Sequence, residues 1–394
     1  MASPVRATIV GGGIAGLATG VALKRIGYQV RVIEKRKVLE TLPQGLTLQP
    51  ASVNALERIS PSLKESALKM GQRSGDISLF SSVRNTTIGK LEQDEIEQTY
   101  GAPFITVPRQ EFYATLIKEL GAENIELGKQ FKEYFEDRRS GECRAVCIGG
   151  AEFMSDIIIG AEGAYSLISE MIPLPYHNRY RGTTTWAGIA SGVSVEELEG
   201  HIGVGFGAQR ASGIMPMTDG RAYWWASYGT WEGPEFDPNG DHKAVLQDLF
   251  KEYRHGPLQS LIQRTQSITC QDIYDKTPYP AAIGRGRATL VGDAAHQAAP
   301  VFATGADQAL EDAASLAYHL GKSTTFGANV APQIRDYEES RFDKPRGLVK
   351  FARTANNIFH AQKPVNQHLA AYAASLIFPV FKYRYLDDAL KPNL

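Results

Sequence analysis

The chain has 394 residues, with 42 Lys and Arg against 43 Asp and Glu and a formal net charge of -1. That length allows two or three domains and a large buried core. The balanced charge excludes the basic footprint of a nucleic-acid binder or of a protein held on an anionic membrane.

In chain order, Ala7-Thr-Ile-Val10 reads as a short apolar strand. It opens so early that no length is left for a signal peptide. Gly11-Gly12-Gly13-Ile14-Ala15-Gly16 follows at once, then helical periodicity from Ile14 to Ile26 with Gly27 placed as its C′ residue. Gln29-Val-Arg-Val-Ile-Glu34 is the next strand. The result is a βαβ unit carrying a dinucleotide fingerprint. Gly11 permits the tight turn after the strand, Gly13 lets the backbone approach a pyrophosphate, and Gly16 lets helix and strand pack closely. Ile14 and Ala15 open the helix whose N-terminus favours the anion. Glu34 closes the second strand, where a carboxylate accepts hydrogen bonds from a ribose diol, and Lys35 is read with it as cofactor-binding. This fingerprint alone does not distinguish NAD from FAD.

Gln44 to Pro50 reads as a strand and Ala51 to Ile59 as a helix. Residues 73–97 hold strand-like stretches such as Asp76-Ile-Ser-Leu-Phe80. Pro108 to Leu120 reads as a helix with Arg109 in its first turn, and residues 124–148 as strands joined by a charged turn. Cys143 and Cys147 fall in one of these strands, roughly 13 Å apart at strand rise, too far to bridge. A metal would need further ligands, and none cluster there. The cysteine usage reads as reduced and cytoplasmic. Asp156-Ile-Ile-Ile-Gly160 is a continuous apolar strand suited to a buried parallel sheet.

From about Tyr176 to Asp275 aromatic and β-branched residues dominate, as in Thr183-Thr-Thr-Trp186 and Tyr223-Trp-Trp-Ala-Ser-Tyr228. This is the pattern of a mostly antiparallel sheet, with a helix near His242 to Tyr253. The chain returns to the first domain at Ala288-Thr-Leu-Val-Gly292. A turn then carries Asp293, a loop runs through Pro300, and a helix opens near Gly305. The apolar run Leu369 to Phe381 is short for a membrane span and contains Pro379, so a packed helix is expected.

Three motifs together, Gly11–Gly16, Glu162-Gly163 and Gly292-Asp293, resemble the set found in class A FAD-dependent monooxygenases, the salicylate, 6-hydroxynicotinate and urate hydroxylase-like aromatic hydroxylases. The resemblance spans roughly residues 5–350 and is specific as a set. It implies an α/β fold: a Rossmann-like, glutathione-reductase-type FAD-binding domain, an inserted, mostly antiparallel β-sheet substrate domain, and C-terminal helices. The expected division is 1–72, 98–175 and 276–350 for FAD, 73–97 and 176–275 for substrate, and 351–394 as a C-terminal helical segment.

The resemblance also implies roles. Glu34 matches the ribose-binding acid, and Arg109 an arginine on the ribityl or pyrophosphate portion. Asp293 matches the carboxylate on the ribityl hydroxyls. Gly45 and Leu46 match a strand beside the flavin ring, and Pro300, Gly305 and Ala306 the loop and helix start near its pyrimidine edge. The implied reaction uses bound FAD, NADPH or NADH and O2 to hydroxylate a small aromatic or heteroaromatic molecule through a flavin C4a-hydroperoxide, in a protein with no integral membrane contact.

Four departures stand out. Glu162 replaces the usual Asp, Ser169 stands where an arginine is usual, and Ala303-Thr-Gly-Ala-Asp307 replaces Gly-Gln-Gly-x-Asn. Asp307 is expected to cap N–H groups at its helix start. The segment Ala208 to Pro216 holds no histidine where the family often places one a few residues before Met215-Pro216, so Arg210 and Tyr223 are the candidates for binding a substrate anion or oxygen. Epoxidation on the same scaffold, a flavin oxidase or dehydrogenase, and a binding protein that has lost turnover remain alternative readings.

Overall fold

The computed structural model describes residues 4–137, 139–172, 177–230, 236–237, 239–322 and 329–361. It is a mixed α/β fold built on two large sheets. The first has six strands in the order Gly284–Arg285, Ala288–Leu290, Ile157–Gly160, Arg6–Val10, Gln29–Glu34 and Ile125–Leu127. All neighbours run parallel except the edge hairpin of its first two members. Ile157, Ile158 and Ile159 are wholly buried, as a strand covered on both faces requires. The strand order reverses direction at Arg6–Val10, with Gln29–Glu34 on one side and Ile157–Gly160 on the other. Such a switch point opens a crevice at the carboxyl ends of the strands.

Helix Ile14–Arg25 covers one face of this sheet and packs against helix Thr304–Gly321. Gly27, at φ +92°, follows the first helix's last turn as expected. Gly292 (φ +61°) sits where the two helices meet. A Cβ there would lie 2.9 Å from the Ala15 Cβ and 3.3 Å from the Ala309 Cβ. The C-terminal motif is therefore seated directly on the fingerprint helix.

The second large sheet has seven strands in the order Thr265–Thr277, His177–Ser191, Arg221–Gly229, Arg210–Met217, Gly203–Gly207, Ile77–Ser81 and Thr86–Leu91. It is antiparallel except where Gly203–Gly207 runs parallel to Ile77–Ser81. Strand alternation sorts its aromatics. Trp224 is fully buried in the core that includes Leu246, Phe250 and Leu261 from helices His242–Phe250 and Leu258–Gln263. Tyr223 and Trp225 take the opposite face.

Residues 73–97, read as strands, also contain most of a helix, Gln93–Tyr100. Its sequence is polar and only Gln93 and Ile96 are buried, so no apolar period announces it. Cys143, Cys147 and Cys270 are free thiols. Among the described residues no helix is long and apolar enough to cross a membrane, and no group of side chains is placed to hold a metal ion. The run Leu369 to Phe381 lies outside the described residues.

Candidate functional site

Four turns leave the carboxyl edge of the parallel sheet side by side: Gly11–Gly13, the residues after Glu34, Ala161–Gly163 and Gly292–Asp293. Gly11 adopts φ +108°, and a Cβ there would stand 2.4 Å from the Ala161 carbonyl oxygen. A Cβ on Gly16 would stand 1.9 Å from the Gly11 oxygen. Both glycines are thus demanded by the protein's own packing. Gly13 is different. Its backbone is extended (φ -79°, ψ -176°), and among the described residues, its own stretch of chain aside, no atom lies within 4 Å of where its Cβ would be. Helix Ile14–Arg25 begins there with no capping side chain and no acid in its first turn, so its amide groups face open space.

Glu34 is 5% exposed. Its carboxylate accepts hydrogen bonds from the Gly12 amide (2.7 Å) and from the backbone (2.9 Å) and Nε (3.0 Å) of Arg36. Burial works against its ionisation, but the bonds from Arg36 and Gly12 prevail and hold the carboxyl below its ordinary range. The Tyr113 hydroxyl donates to the Gly12 carbonyl at 2.6 Å, fixing the glycine turn from the helix Arg109–Leu120. Lys35 is exposed beside this group.

Arg109 opens that helix. Its amide donates to the Gln44 carbonyl (3.0 Å) and its Nε to the Thr41 hydroxyl (2.9 Å). The charges and phenols that act on it are Tyr223, Asp293 and Tyr113. Gly45 and Leu46 pair with Pro108 and Val107 on the preceding strand, Ile105–Pro108. A Cβ on Gly45 would lie 2.4 Å from the Tyr223 Cγ, so the tyrosine ring occupies the space that glycine leaves. Burial pushes the Tyr223 hydroxyl up to about 12.

Asp293 is exposed at the edge and begins the short helix Asp293–His296. The Gly305 Cβ position lies 3.6 Å from its Oδ1. The start of helix Thr304–Gly321, which has no side-chain cap, therefore stands beside this carboxylate. Pro300 and Gly305 are exposed, and Ala306 and Gly163 partly so. Glu162 and Ser166 cap the helix Leu167–Met171. Glu162 accepts from the Leu167 amide (3.1 Å) and from the Ser166 hydroxyl. Burial pushes its carboxyl up to about 7, against these bonds and the charge of Lys276.

Two sequence-level expectations change. Asp307 does not cap its own helix. Its Oδ1 accepts from the Gln49 amide (3.0 Å) and the Ser52 hydroxyl, so it caps the helix Pro50–Ile59, while its buried Oδ2 lacks a hydrogen-bond partner among the described residues. Burial pushes its carboxyl up to about 7. The unfolded chain ionises near pH 4, the native chain near 7, so the native state loses stability as pH rises between these values. Asp307→Asn removes that loss, and its melting temperature is expected to exceed the wild-type value at pH 8 by the equivalent of about 1–3 kcal/mol. The two proteins should converge near pH 4 in paired thermal melts.

Arg210 is placed away from Tyr223. It pairs with Tyr228 in the ladder whereas Tyr223 pairs with Met215. Its guanidinium donates to the Leu249 and Ala208 carbonyls and lies 5.5 Å from the Tyr228 ring centroid.

Sequence reading missed three parts of this edge. One is a buried network beneath Gly292. The Asp312 carboxylate accepts from the Gly292 amide (2.7 Å) and Arg341 Nε (2.7 Å) and is 2.6 Å from His296 Nε2. Another is Lys276, 1% exposed, whose Nζ donates to Ser169 Oγ (3.1 Å) and the Ala294 carbonyl (2.5 Å). The third is an aromatic cluster of Trp225, Phe206, Phe302 and Phe359 on the Tyr223 face of the second sheet.

The residues present fit the FAD that the sequence resemblance implies. The open Gly13, two helix starts without side-chain caps and the carboxylates Glu34 and Asp293 share one edge.

Residues 4–352 match the protein-family model described as FAD binding domain. The aurachin C monooxygenase/isomerase of Stigmatella aurantiaca is 30% identical over 345 residues, covering 86% of each chain. The 3-amino-4-hydroxybenzoate 2-monooxygenase of Streptomyces cremeus is 28% identical over 361 residues, covering 90% of this chain and 88% of that one. Among solved structures, Klebsiella pneumoniae HpxO complexed with FAD and uric acid superposes with a TM-score of 0.87 at 22% identity, over 98% of this chain and 97% of that one.

Proposed function

The chain belongs to the FAD binding domain family, and on that premise we propose that it is an FAD-dependent monooxygenase, which uses NAD(P)H and O2 to insert one oxygen atom into a small aromatic or heteroaromatic molecule. The observation that carries the reading is the meeting of two motifs about 280 residues apart, where Gly292 packs on Ala15 of helix Ile14–Arg25 and Asp293 stands beside Gly305. Two relatives, the aurachin C monooxygenase/isomerase and the 3-amino-4-hydroxybenzoate 2-monooxygenase, support the reaction class.

When bound, FAD supplies the redox chemistry, with electrons from NAD(P)H and oxygen from O2. The chain supplies binding and electrostatics. The Gly13 backbone and the helix start at Ile14 receive the diphosphate. Glu34 faces a ribose, and Arg109 and Asp293 hold the middle of the cofactor. The start of helix Thr304–Gly321, which has no side-chain cap, would favour negative charge on a group held before it. Tyr223 and the cluster containing Trp225, Phe206 and Phe302 offer an apolar wall that excludes water.

Held protonated by burial, Tyr223 serves as a hydrogen-bond donor to a substrate oxygen rather than as a base. Tyr223→Phe is expected to raise KM roughly threefold to tenfold, the size of one neutral hydrogen bond, with kcat within about twofold. A kcat loss of about 100-fold would instead mark it as a proton-transfer group.

The test of the whole reading is a panel of aromatic acids and bicyclic heteroaromatics assayed for stimulated NAD(P)H oxidation, with product mass checked for one added oxygen. Stimulation with peroxide but no oxygenated product across the panel would assign an oxidase-like activity. Purified protein that neither carries nor takes up FAD would remove the flavoenzyme reading altogether.

A further inference from the structure

Lys276 is the deepest-set lysine that faces the edge where the motifs meet. It is the penultimate residue of a long strand of the second sheet, Thr265–Thr277, yet its side chain reaches the turns of the first sheet. There its Nζ bridges two turns that leave adjacent parallel strands. One bond goes to Ser169 Oγ, in the helix that Glu162 caps. The other goes to the Ala294 carbonyl, one residue after Asp293.

The charge census of the edge gives this bridge its meaning. The carboxylates Glu34, Glu162 and Asp293 line a cleft that must also take the two negative charges of a dinucleotide diphosphate. Of the cations there, Arg36 is bound to Glu34, and Arg109, which Asp293 also attracts, donates to Thr41. Lys276 is the positive charge acting on both Glu162 and Asp293. Ser169 occupies the position where the sequence resemblance led to an arginine, and the lysine arrives at that same position from the opposite sheet.

We propose that Lys276 is the positioning cation of the flavin site: it ties the Glu162–Gly163 turn to the Asp293 turn and offsets their charge so that the edge accepts FAD. This rests on the FAD reading above, and it adds a residue and a pH response to it.

Among the described residues the carboxylates that face Lys276 are Asp293 from the short helix, Glu162 from the turn after Ile157–Gly160 and Glu170 from the helix Leu167–Met171. On its own strand, Asp275 pairs with Arg181 and Arg353, and Arg353 also donates to the Lys276 carbonyl at 3.4 Å. Burial pushes the ammonium down to about 8, against the pull of those three carboxylates. Glu162, at about 7, is already ionised above that value, and the arginines do not titrate there. As pH rises through about 8 the bridge therefore loses its charge, and FAD affinity falls with it.

The experiment measures the FAD dissociation constant of the full chain by flavin fluorescence quenching between pH 7 and pH 9.5, with circular dichroism and thermal melts as folding controls. Wild type should weaken across this window. Lys276→Met should bind FAD roughly 10- to 100-fold more weakly at pH 7, the range of one charged hydrogen bond, and it should lose the fall centred near pH 8, keeping only the weakening that accompanies ionisation of Glu162. Lys276→Arg should stay within about threefold of wild type at pH 7 and should also lose the fall centred near pH 8, because arginine keeps its charge. The double variant Ser169→Arg with Lys276→Met, which returns the cation from the other side, should recover most of the loss. A folded Lys276→Met protein with wild-type affinity would overturn the proposal. So would a wild-type affinity that does not change with pH, a result available even if the variant fails to fold. In either case a wild type that binds FAD leaves the flavoenzyme reading standing, whereas a wild type that binds none removes both.

Discussion

Asp312→Ala is expected to destabilise the folded chain by about 3–5 kcal/mol, because it takes from a buried cation one of its two carboxylate partners and leaves a buried amide and imidazole without their acceptor. With an unfolding entropy near 2.1 cal/mol/K per residue, that corresponds to a fall of roughly 4–6 °C in Tm for a chain of this size. The carboxylate is fully buried and holds three groups from different parts of the molecule: the Gly292 amide, His296 and Arg341. Arg341 is itself fully buried and keeps only Glu311 and Gln308 once Asp312 is gone. Asp312→Asn retains acceptor oxygen for the Gly292 amide but not the charge, and it should fall between the two. Burial alone would raise the Asp312 carboxyl, but His296 and Arg341 outweigh it and hold the carboxyl below its ordinary value. A lowered carboxyl contributes stability above the unfolded value of about 4 and loses it as pH falls through the folded one. The gap between wild type and Asp312→Ala in thermal melts should therefore narrow in acid. A gap under 1 °C at pH 7 would show that the network is not a structural keystone.

That network explains why some of the site was legible in the amino-acid sequence and some was not. Gly11, Gly13, Gly16 and Glu34 act through spacing within one βαβ unit, so the local pattern carries their meaning. Gly292-Asp293 is likewise a strand end followed by a turn. Asp307 lies in the first turn of a helix, where an acid is a natural cap, but the amide it serves belongs to Gln49 in a distant stretch of chain. Lys276 looks like any strand lysine until the fold buries it between two motifs. Arg210 stands among aromatics and resembles an anion-binding group, but its donors go to backbone carbonyls. In each case the deciding partner is remote in sequence, and periodicity reports only which face a residue takes, not what meets it there.

The glycines of the fingerprint allow a sharper separation of fold from ligand, and Gly13→Val is the variant that makes it. At Gly11 and Gly16 a side chain collides with the protein's own backbone, at 2.4 Å and 1.9 Å. Gly16→Val should therefore fail to fold, whatever the protein binds. At Gly13 the backbone is one any residue adopts, and the space above it is empty to 4 Å. Nothing in the chain itself requires glycine there, so valine should cost the apo protein no more than about 1 kcal/mol, the scale of a poorer helix cap. FAD binding should suffer far more. A valine projects where a diphosphate must contact the backbone amides at the helix start, and displacing the anion forfeits several charged hydrogen bonds of about 1.5–3 kcal/mol each. Losing two of them weakens FAD binding by at least about 100-fold. The Gly13→Val protein should therefore purify folded and colourless, with an apo melting curve close to that of wild-type apoprotein. Flavin content equal to wild type would move the diphosphate away from this turn, because nothing among the described residues fills the space that glycine keeps open.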